Sequence, residues 1–319
     1  MDSLTRAVPA VLFLAATCLQ GQDGKAGTDY ETFRVSRLLC VIGNNNAAGD
    51  HRAGYNGVFS MTAPGADTSV YVPTFAGLNL EHYFDGRPRQ SERQVFFEPR
   101  HAPMEFRRLS ETKAELRQLP TPVYGVESRT VFELREPYYL DMSYRAIPCR
   151  GDFTGGFLGI FWASYMNGPH DKSIYFLREG STLDKPQWVQ FATQTHGRES
   201  TVLPAGDGRS EPIVAEEPPP LFRTFSPQRY SEPFYYGRFG EMVLIYIFLP
   251  SPYLRFAHSP SGGGRSASGD DTNPAWDFQL VIPDPQPGAE YELRMRVVYK
   301  PWAGRADVLR EVRKWLTGK

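Results

Sequence analysis

"EYELRMRVVY", residues 290–299, switches between two kinds of side chain at every step as far as Val297. Tyr291, Leu293, Met295, Val297 and Tyr299 fall on one face, and Glu290, Glu292, Arg294 and Arg296 on the other. A period of two belongs to a half-buried strand. "AWDFQLVI" (275–282) repeats the pattern, with Trp276, Phe278, Leu280 and Ile282 together. "MVLIYIFL" (242–249) is short and apolar at every position, as expected of a central strand covered on both faces. Weaker strand patterns run through "SVYVPTF" (69–75), "KAELRQL" (113–119), "ESRTVFEL" (127–134) and "YYLDMSYR" (138–145). They continue in "FLGIFWASY" (157–165), "SIYFL" (173–177) and "QWVQFAT" (187–193). Helix is nearly absent until "ADVLREVRKWL" (306–316), where Val308, Leu309, Val312, Trp315 and Leu316 form one stripe. These patterns predict an all-β fold, a large antiparallel β-sandwich with a short C-terminal amphipathic helix docked on a sheet.

Composition agrees. The 319 residues include 17 Tyr, 21 Phe, 27 Pro and 29 Gly, which favours strands and turns. Lys+Arg 35 against Asp+Glu 36 gives no electrostatic reason to expect nucleic acid or an anionic membrane as partner. The apolar run "AVPAVLFLAATC" (7–18) is too short to span a bilayer and is followed by polar residues. Residues 1–21 therefore read as a signal peptide, and Leu14 to Cys18 also fits a lipoprotein signal that would tether the protein through Cys18. The expected location is periplasmic, extracellular or envelope-anchored. Residues 22–35 read as a flexible leader and 36–319 as a single β-sandwich domain. Cys40 and Cys149 allow one disulfide, or are two separate thiols. The turn-rich segments 204–220 and 259–274 are surface excursions of the kind found near binding sites, or domain separators.

Four histidines sit among polar and aromatic neighbours and are the catalytic candidates: His82, His101, His170 and His196. Taken singly, each is a hydrogen-bonded loop histidine; together at one end of a sandwich they would form a site. Glu81 and Arg100 are candidate substrate ligands, since an Arg fork grips carboxylates or paired hydroxyls. Strict alternation in "GLNLEHYFDG" (77–86) sends Glu81 and His82 to opposite faces. In "FWASYMNGPHD" (161–171), Trp162 and Ser164 share one face, Phe161, Ala163 and Tyr165 the other, and the turn presents His170 and Asp171. Trp162, Tyr165, Asn167 and Asp171 complete the substrate candidates, because a pyranose has an apolar face and a hydroxyl rim. The plainer reading makes the aromatics core and His170-Asp171 a turn. No zinc, Walker, dinucleotide or nucleophile-elbow motif occurs, so no metal or cofactor is expected. Asp270, Asp271 and Asn273 offer oxygen ligands for a structural Ca²⁺, but without calcium-loop spacing they read as a solvated turn.

Asn79-Leu80-Glu81-His82-Tyr83-Phe84 resembles the Asn-His-x-aromatic-Phe run of the galactose-mutarotase-like supersandwich superfamily, in which the histidine is catalytic. Here two residues separate Asn79 from His82, and no C-terminal loop glutamate stands out as a base. The resemblance implies the supersandwich fold of aldose epimerases, polysaccharide lyases and sugar-binding domains. "NPAWDFQ" and "FWASYMN" are also similar to segments of secreted proteins from environmental bacteria, a likeness that brings no function with it. Three functions follow as expectations. One is a secreted carbohydrate-binding or accessory protein. The second is a carbohydrate-active enzyme (aldose epimerase, polysaccharide lyase or glycoside hydrolase) using a His/Glu or His/Tyr acid–base pair. The third is a structural envelope protein. The expected partner is a carbohydrate ligand, with a membrane reached only through a lipid anchor.

Overall fold

The alternating stretch at 290–299 is a strand in the computed structural model of the chain, which describes residues 28–66, 68–87, 93–208, 221–265 and 272–318. The strands in chain order are β1 (Tyr30–Val35), β2 (Leu38–Gly43), β3 (Gly57–Thr62), β4 (Asn79–Phe84), β5 (Glu105–Ser110) and β6 (Lys113–Gln118). There follow β7 (Val126–Arg135), β8 (Tyr139–Pro148), β9 (Phe157–Ala163), β10 (Ile174–Leu177), β11 (Trp188–Phe191) and β12 (Thr201–Pro204). The last are β13 (Phe225–Tyr230), β14 (Phe234–Phe239), β15 (Met242–Phe248), β16 (Leu254–Ser259), β17 (Ala275–Pro283) and β18 (Tyr291–Pro301). Helices are few: α1 (Arg93–Phe96), α2 (Glu98–His101) and α3 (Arg305–Leu316).

Three sheets form. A large sheet has the order β11-β10-β14-β15-β18-β8-β7-β6-β5, a second runs β13-β12-β16-β17-β9-β4, and β1-β2-β3 make a small one. We call the second the site sheet. Pairing is antiparallel except between β12 and β13, which run parallel. The large and site sheets face each other across aromatic contacts. Trp162 of β9 meets Tyr144 of β8 edge-on at 4.7 Å, and Phe278 of β17 meets Phe248 of β15 at 5.0 Å.

Alternation explains which side chains enter this layer. Leu293, Met295 and Val297 of β18 are buried in it, while Glu292 and Arg294 are exposed on the outer face. In β15, Met242, Leu244, Tyr246 and Phe248 face the sandwich interior, and Val243, Ile245 and Ile247 face outward. The outward set is covered by Val308, Leu309 and Val312 of α3, so β15 is apolar throughout because both faces are covered. Polar contacts fix the helix: Lys300 pairs with Asp307 and Glu311, and the Arg296 guanidinium lies 4.4 Å from both the Tyr139 and Trp315 rings.

One expectation changes. The leader does not reach residue 35, because Tyr30–Val35 is a strand paired in register with β2, and Phe33 and Val35 enter the core. Its polar residues hid a short alternating pattern. Cys40, buried in β2, and Cys149, exposed after β8, are separate thiols. The signal-peptide residues, Cys18, Asp270 and Asp271 lie outside the described residues. Asn273 is occupied structurally: its carbonyl accepts the Gly168 N–H at 2.8 Å, and its amide donates to the Gly263 carbonyl at 3.1 Å.

Candidate functional site

The site begins with an irregularity in β4, an edge strand of the site sheet. Leu80 lies opposite Trp162 in β9, and His82 lies opposite the next residue, Phe161. Glu81 is therefore an extra residue, a β-bulge that turns its side chain to the same face as His82. The Asn56 side chain holds the bulge by accepting from Leu80 N–H at 3.0 Å and donating to the Leu80 carbonyl at 2.9 Å. Just before the strand, Ala76 (φ 68°) and Leu78 (φ 51°) adopt the left-handed region. Strain of that kind is held only where surrounding contacts impose it.

Glu81 lies at the centre. Its Oε2 is 3.3 Å from His82 Nε2, while its Oε1 accepts from Arg100 Nη1 at 3.1 Å and from the Tyr165 hydroxyl at 2.5 Å. His82 Nδ1 bonds the Phe96 carbonyl at 2.7 Å, so both ring nitrogens face oxygen acceptors. Phe96, Phe97, Phe161 and Phe222 cage the imidazole, with ring centroids 4.4 to 5.8 Å away. Phe222 also stacks on Phe84 at 4.0 Å, and Gly159 leaves room for Phe84, whose ring comes within 2.2 Å of where a Cβ would stand. Arg100 is equally fixed. Its Nε donates to the Gly54 carbonyl at 2.5 Å, and its guanidinium lies 3.8 Å from the Tyr55 ring.

A second carboxyl, Asp277 of β17, lines the same cavity. Its Oδ1 accepts the Ser164 N–H at 3.0 Å, and its Oδ2 is buried without a hydrogen-bond partner among the described residues. The two carboxyls are driven in opposite directions. Burial pushes Glu81 up, but the His82 and Arg100 charges and the Tyr165 hydroxyl overcome it and hold it below the usual carboxylate range. Burial pushes Asp277 well above that range, and the Glu81 charge pushes it further. The two environments thus favour the ionised form of Glu81 and the protonated form of Asp277.

The cavity holds about 300 Å³ and lies on the outer face of the site sheet. That is at the lower end for ligand sites and suits one small ligand. Tyr55, Phe96, Phe97 and Phe222 form apolar walls, and His196, Ser259 and Ser261 form a polar side. Ser259 Oγ donates to the Ser261 carbonyl, so His196 Nδ1, 2.8 Å away, donates to Ser259. The chain just after residue 220 and the start of the 259–274 segment thus reach the site, through Leu221 and Phe222 and through Ser259, Ser261 and Gly262.

Of the residues singled out in the sequence, Glu81, His82, Arg100, Tyr165 and His196 come together. The others do not. Trp162 is fully buried between the sheets, stacked on Phe278 at 5.1 Å, because alternation sends it inward as it sends Tyr165 outward. His101 ends α2 exposed and is not among the cavity's lining residues. His170 is also exposed and absent from the lining. Asn167 ties its turn to the Ser69 carbonyl at 3.0 Å, and Asp171 accepts the Tyr175 hydroxyl at 2.5 Å. The separation of Glu81 from His82 expected from alternation is overturned by the bulge. Asp277 and Tyr55 were missed. Asp277 did carry a signal, a lone carboxylate between Trp276 and Phe278 in a strand whose one other polar residue is the neutral Gln279.

No family model matches the chain, and no curated protein matches it. Among solved structures it is similar to a protein provisionally named aldose 1-epimerase from Escherichia coli K12, at 10% identity and TM-score 0.49, covering 86% of this chain and 99% of that one. It is also similar to a galactose mutarotase-like protein from Lactobacillus casei, at 10% identity and TM-score 0.45, covering 85% and 100%. A third is a GalM/aldose epimerase homologue from C. elegans, at 10% identity and TM-score 0.46, covering 86% and 100%. These are likenesses of chain trace, and the functional reading rests on the site's own residues.

Proposed function

We propose that the protein binds a single sugar ring in this cavity and moves protons at its anomeric centre. The observation that carries the reading is two buried carboxyls lining one cavity in opposite surroundings, Glu81 held by Arg100, Tyr165 and His82, and Asp277 with its Oδ2 unpartnered among the described residues, which push their pKa values apart. Such a pair is how one site supplies an acid and a base at the same pH. Asp277 Oδ2 gives its proton to the ring oxygen as the C1–O bond opens. The anomeric hydroxyl gives its proton to the Glu81 carboxylate, and closure on the other face reverses both transfers. Arg100 and Tyr165 keep Glu81 charged and fixed, and the aromatic walls cover the apolar face of the ring.

Binding without turnover is the second reading, favoured by the two donors already engaging Glu81 Oε1. Anomer-exchange NMR with glucose, galactose and xylose separates the two. Catalysed exchange that disappears in Asp277→Asn supports the enzyme. Ring binding without exchange supports the binding module, and neither outcome with any aldose rejects both. Export is part of the proposal on the strength of the apolar run ahead of Cys18 alone, and the mass of the mature protein from its host tests it.

A further inference from the structure

The outer face of the large sheet, away from the sugar cavity, carries an arrangement that the proposed chemistry does not use. Arg117, Arg129 and Arg145 stand directly opposite one another on β6, β7 and β8. Like charges in direct cross-strand register destabilise a sheet. At a strand spacing of about 4.8 Å the row spans roughly 10 Å. Nearby carboxylates moderate it, with Arg117 bonded to Glu127, Arg129 to Glu115 and Arg145 3.3 Å from Glu290.

Beside the row lies an open trough of about 610 Å³ lined by Lys113, Arg129, Arg135, Arg145 and Arg294. Its three carboxylates, Glu133, Asp141 and Glu292, are all engaged by neighbouring cations or Ser143. The trough continues past Arg294 and Trp315 into a second one of about 560 Å³, lined by Arg294, Arg296 (paired with Asp141 of the first trough) and Lys314 and, among the described residues, by no carboxylate. On a chain of net charge −1 this is a local cationic excess. We propose that the trough binds an anionic polysaccharide, whose carboxylate or sulfate groups meet the arginine forks along an extended track.

The surface distinguishes this partner from others of the same sign. A membrane would need exposed apolar side chains around the cations, and the large exposed hydrophobics among the described residues are Tyr30, Leu109 and Leu119. Of these only Leu109 lines the trough. Single-stranded nucleic acid would need a run of rings on which to stack successive bases, and the two troughs offer one aromatic among the described residues, the half-buried Trp315.

The test is binding of the full chain to immobilised polygalacturonate and dextran sulfate, with plain dextran, phosphatidylglycerol vesicles and a DNA oligonucleotide as competitors, over a salt series. The expected result is salt-sensitive retention on the anionic polysaccharides, about tenfold weaker with a shallower salt dependence in Arg145→Gln/Arg294→Gln. Asp277→Asn should bind the polymers as wild type does, which separates this surface from the sugar cavity. Arg108→Gln, which removes a cation paired with Glu31 outside the trough, should do so too. No retention, retention unchanged in the double variant, or equal competition by vesicles or DNA would overturn the proposal. Thermal unfolding of each variant shows that the exposed substitutions leave the fold intact.

Discussion

Glu81 and His82 are consecutive residues of one strand, yet the Glu81 carboxylate and the His82 ring meet at 3.3 Å on the same face. Neighbours in a regular strand point apart. The extra residue at Glu81 removes that constraint, and Asn56 makes the irregularity stable by satisfying both backbone groups of Leu80. The Glu81–His82 contact is thus a product of backbone geometry, fixed by a side chain that does not itself line the cavity.

Asn56→Ala should therefore disable the site at a distance. Losing both bonds to Leu80 leaves buried backbone groups unsatisfied, a destabilisation of about 1–3 kcal/mol. Sugar turnover should fall at least tenfold as Glu81 leaves the His82 face. Denaturant unfolding and anomer exchange measure the two effects, and wild-type exchange in a destabilised variant would show that the bulge does not depend on Asn56.

Asp277→Asn should separate stability from function. The native state holds the Asp277 proton above the pH at which the unfolded chain releases it, so the native fold loses stability as pH rises past the ordinary carboxylate range. The neutral amide has no such penalty. The variant should melt higher than wild type at pH 7 and show no such advantage at pH 3, while proton transfer is lost. Scanning calorimetry at the two pH values decides, and a variant less stable at pH 7 would mean that Asp277 is ionised in the native state.

The sheets were legible and the site only partly so, for a physical reason. Alternation in β18 and continuous apolarity in β15 report burial, which is averaged over many residues and survives local exceptions. The same rule failed at Glu81, where one inserted residue reverses the face and leaves no mark in composition. It was sound at residues 161–165, where Trp162 and Tyr165 do lie on opposite faces; which face carries the chemistry is decided by β17 and by the chain around Phe222, far off in sequence. Asp277 enters the site through the pairing of β17 with β9, and a sequence does not display such registers.

Trp162 and Tyr165 supply a direct contrast. Trp162→Ala opens a cavity between the sheets and should cost about 3–5 kcal/mol, with sugar affinity unchanged in the protein that remains folded. Tyr165→Phe keeps the ring and removes one donor to Glu81, so the acid limb of the pH–rate profile should move to higher pH. Isothermal titration of both variants with the same aldose, beside the pH profile, checks this. Weakened binding in Trp162→Ala alone would return the site to the other face of β9.

His258 gives the last prediction, which concerns the whole fold. Its Nε2 donates to the Lys172 carbonyl at 2.8 Å, and its Nδ1 accepts from the Thr193 N–H at 3.2 Å, so the buried ring is neutral and in a fixed tautomer. Burial foremost lowers its pKa to about 4. The unfolded chain takes up the proton near pH 6.5, so the native state loses stability as pH falls from about 6.5 to 4, by roughly 3 kcal/mol when the displacement is complete. Below that the native ring also protonates and the loss levels off. A protonated Nδ1 would face the Thr193 N–H, donor against donor, and the 193–196 segment that brings His196 to the cavity would be loosened. His258→Gln, whose amide can still donate to Lys172, should lower stability at pH 7 but flatten its fall between pH 6.5 and 4. Urea unfolding of both proteins across that range measures the slopes, and equal slopes would rule His258 out as the source of acid sensitivity.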